Sequence, residues 1–276
     1  YNLPSLPSLK AVVNVGGDYS EGTGYTITPA ASASGYYTQG RYTEYRTSKS
    51  NKLFESYLNY NSGTRWSNQT LDVTAGYSYQ DWDTESPNNP AWNEAQDSII
   101  QPATAFPFYT RNVLMSYYGR AIYNLNGKYV VNVSVRRDGS SRFSPETRWG
   151  IFPAASAAWI ISEEAFMKNS SRINMLKLRA GWGVTGQQDG IGDYAYIGNY
   201  FQGATTAQYA FGGQYYQVLR PAGFDAGLKW ETTTSYNIGL DFGFKNDRFS
   251  GSVDVYQKDT RDLLATVPVP AGTNFT

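Results

Sequence analysis

The side chains that could carry out acid–base or metal chemistry in this sequence are few, because its 276 residues contain no His and no Cys. Those two absences exclude a Ser-His-Asp triad, a Cys nucleophile, a His- or Cys-ligated metal and a disulfide. Only carboxylates, Lys or Tyr could act as acid–base catalysts. No carboxylate pair is marked by the spacing that a glycosidase needs. The sequence therefore predicts a protein that is not an enzyme, with no catalytic residues and no cofactor.

The charge balance disfavours two further kinds of ligand. The chain has 23 basic and 23 acidic residues and a net charge of zero, whereas nucleic-acid binding needs an excess of Lys and Arg. Several carboxylates fall close together, but they lack the spacing of a calcium-binding loop; they are Asp81, Asp83, Glu85 and Asp97. We therefore predict neither a nucleic-acid partner nor a metal site.

Aromatic side chains offer a chemistry of binding instead. The chain contains 24 Tyr, 13 Phe and 7 Trp, and several lie in two long polar loops. Exposed aromatic faces stack on sugars or pack against partner proteins. The residues predicted to contact a ligand or partner are Trp82, Trp92, Phe106, Phe108 and Tyr109 in one loop, and Tyr194, Tyr196, Tyr200, Phe201, Tyr215 and Tyr216 in the other. The alternative is that these rings pack against one another within a folded loop, and both interpretations remain open at this point.

The elements that must position these loops are β-strands, because apolar and polar side chains alternate in steps of two along segment after segment. Residues 149–161 are the weakest case, since they are apolar on both faces and contain Pro153. Between two strands, residues 162–168 predict a short helix with acidic residues in its first turn. The nine predicted strands cover residues 8–19, 41–60, 69–83, 110–125, 128–138, 149–161, 175–186, 229–244 and 248–263.

One face of these strands is apolar and the other carries charges. A Lys or Arg facing lipid at mid-depth costs roughly 2–4 kcal/mol, so the pattern fits lipid on one side and water on the other. The charges predicted to face a lumen are Arg120, Arg136, Lys177, Arg179, Asp241 and Asp254. They could line a transport path, form ion pairs within the wall or contact a plug. A soluble β-sandwich gives the same alternation, so alternation alone leaves both architectures open.

The lengths of the connections favour a membrane barrel. Residues 124–128 and 245–248 form tight turns, whereas 20–40, 85–109, 139–148 and 187–227 are long. If the strands run up and down, every long connection falls at one end, as in outer-membrane barrels. Nine is an odd number and nothing closes the sheet. The sequence thus predicts an all-β, antiparallel, up-and-down transmembrane β-barrel, with residues 1–276 as a partial barrel within one barrel domain.

Several motifs resemble those of the SusC/RagA family of TonB-dependent outer-membrane transporters. Their order and spacing match the family's middle and later barrel, and together they cover nearly all of the chain outside the long loops. They are VRRDGSSRF at 135–143, RWGIFPAASAAW at 148–159, ISEEAFM at 161–167, LKLRAGWGVTGQ at 176–187 and LKWETTTSYNIGLD at 228–241.

This resemblance implies a function for a parent protein. Members have a barrel of about 22 strands filled by an N-terminal plug, and a SusD-like surface lipoprotein caps the extracellular mouth. Glycans or peptides are imported with energy delivered through TonB, across the outer membrane of Bacteroidetes-type Gram-negative bacteria. We see no plug or TonB-contact segment in this sequence, so TonB is expected to act through a region absent from it. A passive porin-like barrel and a soluble, aromatic-rich carbohydrate-binding β-sandwich remain as alternatives.

Two motif positions carry further expectations. Residues 136–139 lie at the long-loop end of a strand. There they either contact a substrate or lid, or form a turn with solvated charges. Trp230 begins a strand and is expected in an interfacial aromatic belt.

Overall fold

The structure is a computed structural model that describes residues 2–3, 6–63, 67–103, 107–168, 170, 172–203, 208–245 and 248–265, without the side chains of residues 2, 3, 6, 7, 201 and 202. Within these residues, nine long strands follow one another as neighbours in a single sheet. We number them β1 (Leu6–Thr28), β2 (Arg41–Asn61), β3 (Gln69–Ser86), β4 (Phe108–Leu125), β5 (Tyr129–Ser140), β6 (Trp149–Ile160), β7 (Ile173–Gln187), β8 (Glu231–Phe244) and β9 (Phe249–Arg261).

Several short strands and two helical turns accompany the nine long strands. Asn2–Leu3 pairs with β1, and Ala91–Trp92 joins β2 to Ile99–Gln101. Two small two-stranded sheets lie between β7 and β8. In one, Tyr200–Gln202 pairs with Leu219–Pro221; in the other, Gln208–Phe211 pairs with Gln214–Gln217. The helical elements are two 3₁₀ turns, Tyr36–Thr38 and Ile161–Glu163. The described residues contain no helix long and apolar enough to cross a membrane.

The chain divides into two compact units. The first comprises Tyr1–Val13, Ser56–Ser78 and Met115–Thr276, and it contains β5–β9 whole. The second comprises Asn14–Glu55 and Tyr79–Leu114.

All nine predicted strands are confirmed, most of them to within three residues at each end, but the first is much longer than its pattern indicated. The first strand was predicted to end at residue 19, and β1 continues to Thr28. Residues 20–28 are mostly polar or small on both faces, so the alternation that marks a strand beside lipid disappears there.

The predicted helix at residues 162–168 is wrong. The chain makes a 3₁₀ turn at Ile161–Glu163, and Glu164 is extended, with φ −74° and ψ 148°. Its carboxylate accepts hydrogen bonds from the Tyr129 hydroxyl at 2.6 Å, the Trp159 indole at 3.1 Å and the Lys128 ammonium at 3.0 Å. These three bonds hold Glu164 against the ends of β5 and β6, and the helix cannot continue through it.

Pro153 is accommodated because of its place in the ladder. It lies in β6 opposite Val135 of β5. On the other side, the ladder with β7 ends at the neighbouring residue, Ala154, opposite Gly183. The missing amide hydrogen of proline is therefore not needed on that side.

The apolar side chains of β5–β9 form continuous rows across the sheet. One row is Trp159, Leu178, Leu240 and Val253, and the next is Ala157, Ala180, Ile238 and Val255. These side chains are exposed: 38% for Leu178, 61% for Ile238 and 59% for Val253. A soluble β-sandwich would bury them under a second sheet, so the rows have the exposure of a lipid-facing wall instead. We call this surface the apolar face.

Aromatic residues mark both ends of the apolar face. The rings of Tyr129 and Trp159 stack with centroids 6.4 Å apart, near the short turns. Trp149 stacks on Tyr117 at 6.2 Å, at the end of the long connections. Ten residues separate Trp149 from Trp159, which is about 33 Å along a strand and about 25 Å across a membrane at a tilt of about 40°. That spacing matches the apolar band of an outer-membrane barrel and its two aromatic girdles.

The buried apolar cluster lies on the other face, near the long connections. Phe143, Phe152 and Trp230 are 0%, 9% and 7% exposed, and their rings meet at 5.2–5.3 Å. The indole of Trp230 donates to the carbonyl oxygen of Arg148 at 2.8 Å. The expectation that Trp230 belongs to an interfacial belt is therefore wrong, because its ring fills a core.

Charge on the apolar face is expected to be far more costly than charge on the opposite face. Val253→Arg should lower the free energy of unfolding in lipid by about 2–4 kcal/mol. The matched control is Ser252→Arg, whose side chain lies opposite Asp241 on the polar face, and its effect should stay within about 0.5 kcal/mol. Urea unfolding of the full-length barrel in vesicles measures both, and equal losses would contradict the assignment of the faces.

Glu164 should give the barrel a pH-dependent stability. The hydrogen bonds from Tyr129, Lys128 and Trp159 hold its pKa at about 2, below the ordinary 4.5. Because the folded pKa is depressed, this stabilisation is complete above about pH 4.5 and is lost as the pH falls towards 2. In Glu164→Gln, the unfolding midpoint should depend less on pH in that window. Glu163→Gln, which changes the exposed neighbour, should retain the wild-type profile.

Candidate functional site

The predicted lumen charges of β7, β8 and β9 meet in one network. Arg179 donates to both carboxylate oxygens of Asp241 at 2.7–3.1 Å and forms an ion pair with Asp254 at 3.0 Å. Lys177 lies opposite Asp241 in the sheet, with its ammonium 3.9 Å from that carboxylate. The sheet register places all four on the face opposite the apolar rows. We call it the polar face.

The remaining two predicted lumen charges are held separately. Arg120 donates to the side-chain oxygen of Asn132 at 2.9 Å. Arg136 donates to Asp138 at 2.7 Å and to Ser116, also at 2.7 Å. Asp138 and Ser116 are buried, whereas the Arg136 side chain is 44% exposed, so a contact with a substrate or lid stays a prediction. The structure therefore shows charges that are largely paired within the wall.

The second unit contains a groove that the sequence did not single out. Two adjoining concavities, of about 260 and 580 Å³, share Tyr42, Glu44 and Asn89 in their walls. Trp92 lines the smaller concavity, and Tyr25 lines the larger one. We call these two concavities together the Tyr42 groove.

The groove is built where a short strand docks on β2. Trp92 lies opposite Tyr42 in that pairing, and the ring of Tyr42 stacks on Tyr25 with centroids 5.7 Å apart. The Tyr42 hydroxyl donates to Glu44 at 2.9 Å. The Asn89 side chain donates to the main-chain oxygen of Glu44 at 3.0 Å. These contacts position Tyr42, Glu44 and Asn89 without a ligand.

A loop behind the groove is held by side-chain bonds to the main chain. The buried Asn93 accepts from the amides of Asp97 and Ser98 at 3.0 and 3.2 Å. Glu94 accepts from the amide of Ala30 at 2.7 Å, and its own amide donates to Gln39. The loop that carries Trp92 is thereby fastened at several points.

The chemistry of the Tyr42 groove suits a polyhydroxylated ligand. Aromatic faces accept the C–H surface of a sugar ring, and a carboxylate and amides bind its hydroxyl groups. The groove supplies the rings of Tyr25, Tyr42 and Trp92 with Glu44 and Asn89 beside them. The sequence signal for this groove was the placement of Tyr42, Glu44 and Arg46 on one side of β2. That pattern alone did not predict a concavity, because the neighbouring loop forms part of its wall.

The predicted aromatic residues of the first loop are placed differently from one another. Trp92 lines the groove. Trp82 lies within β3, and Phe108 and Tyr109 begin β4, so their assignment to a loop is wrong. Trp82 already fell within the predicted strand 69–83, whereas Phe108 and Tyr109 precede the predicted start of their strand at residue 110. Phe106 lies outside the described residues.

The second loop presents most of its predicted rings to solvent. Tyr215 and Tyr216 lie in a hairpin whose turn, Gly212 and Gly213, takes positive φ at both residues, as a type I′ turn requires. Tyr194, Tyr200, Tyr215 and Tyr216 are 44%, 70%, 74% and 46% exposed. Tyr196 is half-buried. The backbone of Phe201 lies in the strand Tyr200–Gln202, and its side chain is outside the description.

The base of this second loop is fastened to the connection between β5 and β6. Arg142 forms ion pairs with Asp189 at 3.2 Å and with Asp193 at 3.1 Å, where the loop leaves β7. Thr147 donates to the carbonyl oxygen of Leu228 at 2.6 Å, where the loop returns to β8. The Phe143–Phe152–Trp230 cluster lies beside these bonds, so both ends of the loop share one anchor.

Three of the four acidic residues considered for calcium, Asp81, Asp83 and Asp97, are bound by protein partners. Asp81 is bound by Arg111 at 2.7 Å, and Asp83 accepts from Tyr109 at 2.8 Å. Asp97 accepts from the side chain of Asn93 at 2.5 Å. Across the part of the chain that is described, no group of three or more acidic residues is arranged to hold a metal.

Comparison with known proteins settles the family. A family model described as "TonB dependent receptor-like, beta-barrel" matches residues 5–276. The chain belongs to this family. Its members are receptors and transporters of the outer membrane rather than enzymes, and the predicted partial barrel and the outer-membrane location are confirmed.

Two curated relatives indicate the branch of the family. The TonB-dependent receptor SusC of Bacteroides thetaiotaomicron is 40% identical over 282 aligned residues, which cover all of this chain and 27% of SusC. The TonB-dependent receptor P39 of Formosa agariphila is 38% identical over 80% of this chain and 21% of its own length. The chain is thus SusC-like, as its motifs indicated, and spans about a quarter of these relatives.

A solved structure shows the same fold. A chain in the structure of the RagAB peptide transporter superposes with a TM-score of 0.77 at 22% identity, over 96% of this chain and 30% of that one.

Removing the buried ring of Trp230 should release the second loop. Trp230→Ala should destabilise this region by about 3–5 kcal/mol, the usual cost of truncating a buried Trp. Hydrogen exchange of residues 188–228 should accelerate in the full-length protein. Phe211→Ala, which truncates a ring that is 68% exposed in the same loop, is the control and should leave exchange at the loop base unchanged. Equal protection in Trp230→Ala and wild type would show that the cluster is not the anchor.

Proposed function

We propose that this chain is part of the barrel wall of an active outer-membrane importer of oligosaccharides, of the SusC type. The main support for this proposal is the 40% identity to SusC along the whole chain. The exposed apolar face also supports the proposal. In this proposal the polar face lines the lumen, and the chain has no enzymatic activity.

The Tyr42 groove supports oligosaccharide as the substrate class. Its rings and its carboxylate are pre-positioned by contacts within the second unit, which lowers the entropy lost when a flexible glycan binds. The structure of the RagAB peptide transporter has the same fold, but at 22% identity that likeness carries no information on this chain's substrate. Peptide binding is therefore an alternative outcome of the experiment below.

We further propose that a SusD-like surface lipoprotein covers the long loops and that TonB supplies the energy to the full-length transporter. The exposed tyrosines of the second loop support a protein contact, because exposed aromatic residues are enriched where proteins bind. The firm anchoring of that loop at Arg142 and Trp230 supports the same role, since it leaves a docking partner a defined surface.

Energy dependence separates this proposal from a passive porin-like barrel. Uptake of an oligosaccharide by cells that express the full-length protein should stop when TonB is deleted or the proton gradient is collapsed. Uptake that persists in both conditions would favour the porin.

The groove gives a direct test of the substrate class. Trp92→Ala should weaken oligosaccharide binding to the purified full-length protein up to about tenfold, the loss expected for one stacked ring. Tyr37→Ala removes a ring that is 93% exposed and lies outside the groove, and it should have no effect. Isothermal titration with an oligosaccharide series and a peptide series measures both variants. If the peptides bind and lose affinity in Trp92→Ala while the oligosaccharides do not bind, the substrate class is peptide.

A further inference from the structure

Two adjacent arginines of β5 have opposite environments. Arg136 lies on the polar face, where Asp138 and Ser116 bind it. Arg137 lies on the apolar face, opposite Ile151 of β6. Within the described part of the chain, no carboxylate is close enough to pair with Arg137. Its guanidinium lies over the ring of Trp149, 4.6 Å from the centroid.

The position of Arg137 along the strand is informative. The same stripe of β5 begins with Tyr129 and continues through Val131, Val133 and Val135, which are 42–51% exposed. Eight residues separate Tyr129 from Arg137, or about 26 Å along the strand and about 20 Å across the membrane at a tilt of about 40°. Arg137 therefore lies near the end of the apolar band on the long-loop side, level with Ile151 and two residues along the ladder from Trp149.

A cation in this position needs an anion that the described protein does not supply. A lipid-facing Arg is strongly disfavoured at mid-depth and tolerated near the interface, where phosphate groups of lipids are available. Arg137 is exposed, so the N–H edge of its guanidinium stays accessible beside the ring of Trp149. That edge matches two oxygens of a phosphate.

We propose that Arg137 and Trp149 form a binding site for the phosphate group of an outer-leaflet lipid. The indole supplies the platform, the guanidinium binds the phosphate oxygens, and the acyl chains lie along the apolar rows below. The bound ligand is a phosphate ester, so free phosphate and a lipid headgroup share the recognition chemistry. The position beside the apolar rows favours the lipid.

The experiment compares lipid binding by the full-length barrel and its variants. The probes are lipid A, lipid A with its phosphates removed, and inorganic phosphate, each added to the protein in a neutral maltoside detergent, with bound lipid counted by native mass spectrometry. Arg137→Gln should bind phosphorylated lipid A about fivefold more weakly than wild type, the worth of one basic residue at a membrane surface. Dephosphorylated lipid A should bind the two proteins equally, and millimolar inorganic phosphate should not displace the lipid.

Two further variants provide a second test of the site and a control. Trp149→Leu retains the charge, removes the platform and should also weaken binding of phosphorylated lipid A, which covers the case in which Arg137→Gln fails to insert. Arg248→Gln removes an exposed arginine of the short-turn end and should bind like wild type. Wild-type affinity in both Arg137→Gln and Trp149→Leu would overturn the site. So would an equal loss in Arg248→Gln, or displacement of the lipid by inorganic phosphate.

Discussion

The bilayer interior contains no water, and this single constraint explains most of the wall. Every backbone donor and acceptor there must be satisfied by a neighbouring strand, and the ladders of β7 with β8 and of β8 with β9 run without interruption from Met175 to Gln187 and from Thr232 to Phe244. Side chains on one face must then be apolar, although they are exposed. The chain consequently shows the reverse of a soluble domain: Ile238 and Val255 are 61% and 71% exposed, while Ser116 and Ser140 are fully buried.

The same constraint moves the polar chemistry to the opposite face and to the ends of the strands. On the polar face, Arg179 and Lys177 balance the charges of Asp241 and Asp254 across three strands. These four side chains thus carry two positive and two negative charges, and their cluster on the polar face is balanced. Near the long connections, the buried Phe143 and Trp230 hold the base of the second loop. The motif at residues 135–143 thus connects the wall to the second loop, through Arg142 and Phe143.

The sequence predicted the strands well wherever lipid enforces a period of two. Leu176 to Val184 alternate with polar residues because each step reverses the environment. Above the membrane both faces meet water, so the pattern loses its meaning, and the extension of β1 to Thr28 and the placement of Phe108 in β4 were missed. Trp230 was misjudged for a different reason. Its burial depends on Phe143 and Phe152, which are about 80 residues away in sequence, and no local pattern contains that contact. The Tyr42 groove was missed likewise, because it forms only when residues 87–96 dock on β2.

The residues that distinguish one such protein from another are therefore expected outside the bilayer, where side chains are not restricted to apolar types. Lipid allows one kind of side chain on the apolar face, which leaves little room there to distinguish one transporter from another. The strand extensions and loops face no such limit, and there Tyr42, Glu44 and Trp92 assemble a surface with both stacking and hydrogen-bonding groups. Arg136 and Arg137 show how sharp the division is. One step along β5 changes the required partner of an arginine from a buried carboxylate to an aromatic ring at the membrane boundary. Two neighbours of the same residue type thus do different work because the sheet separates their surroundings.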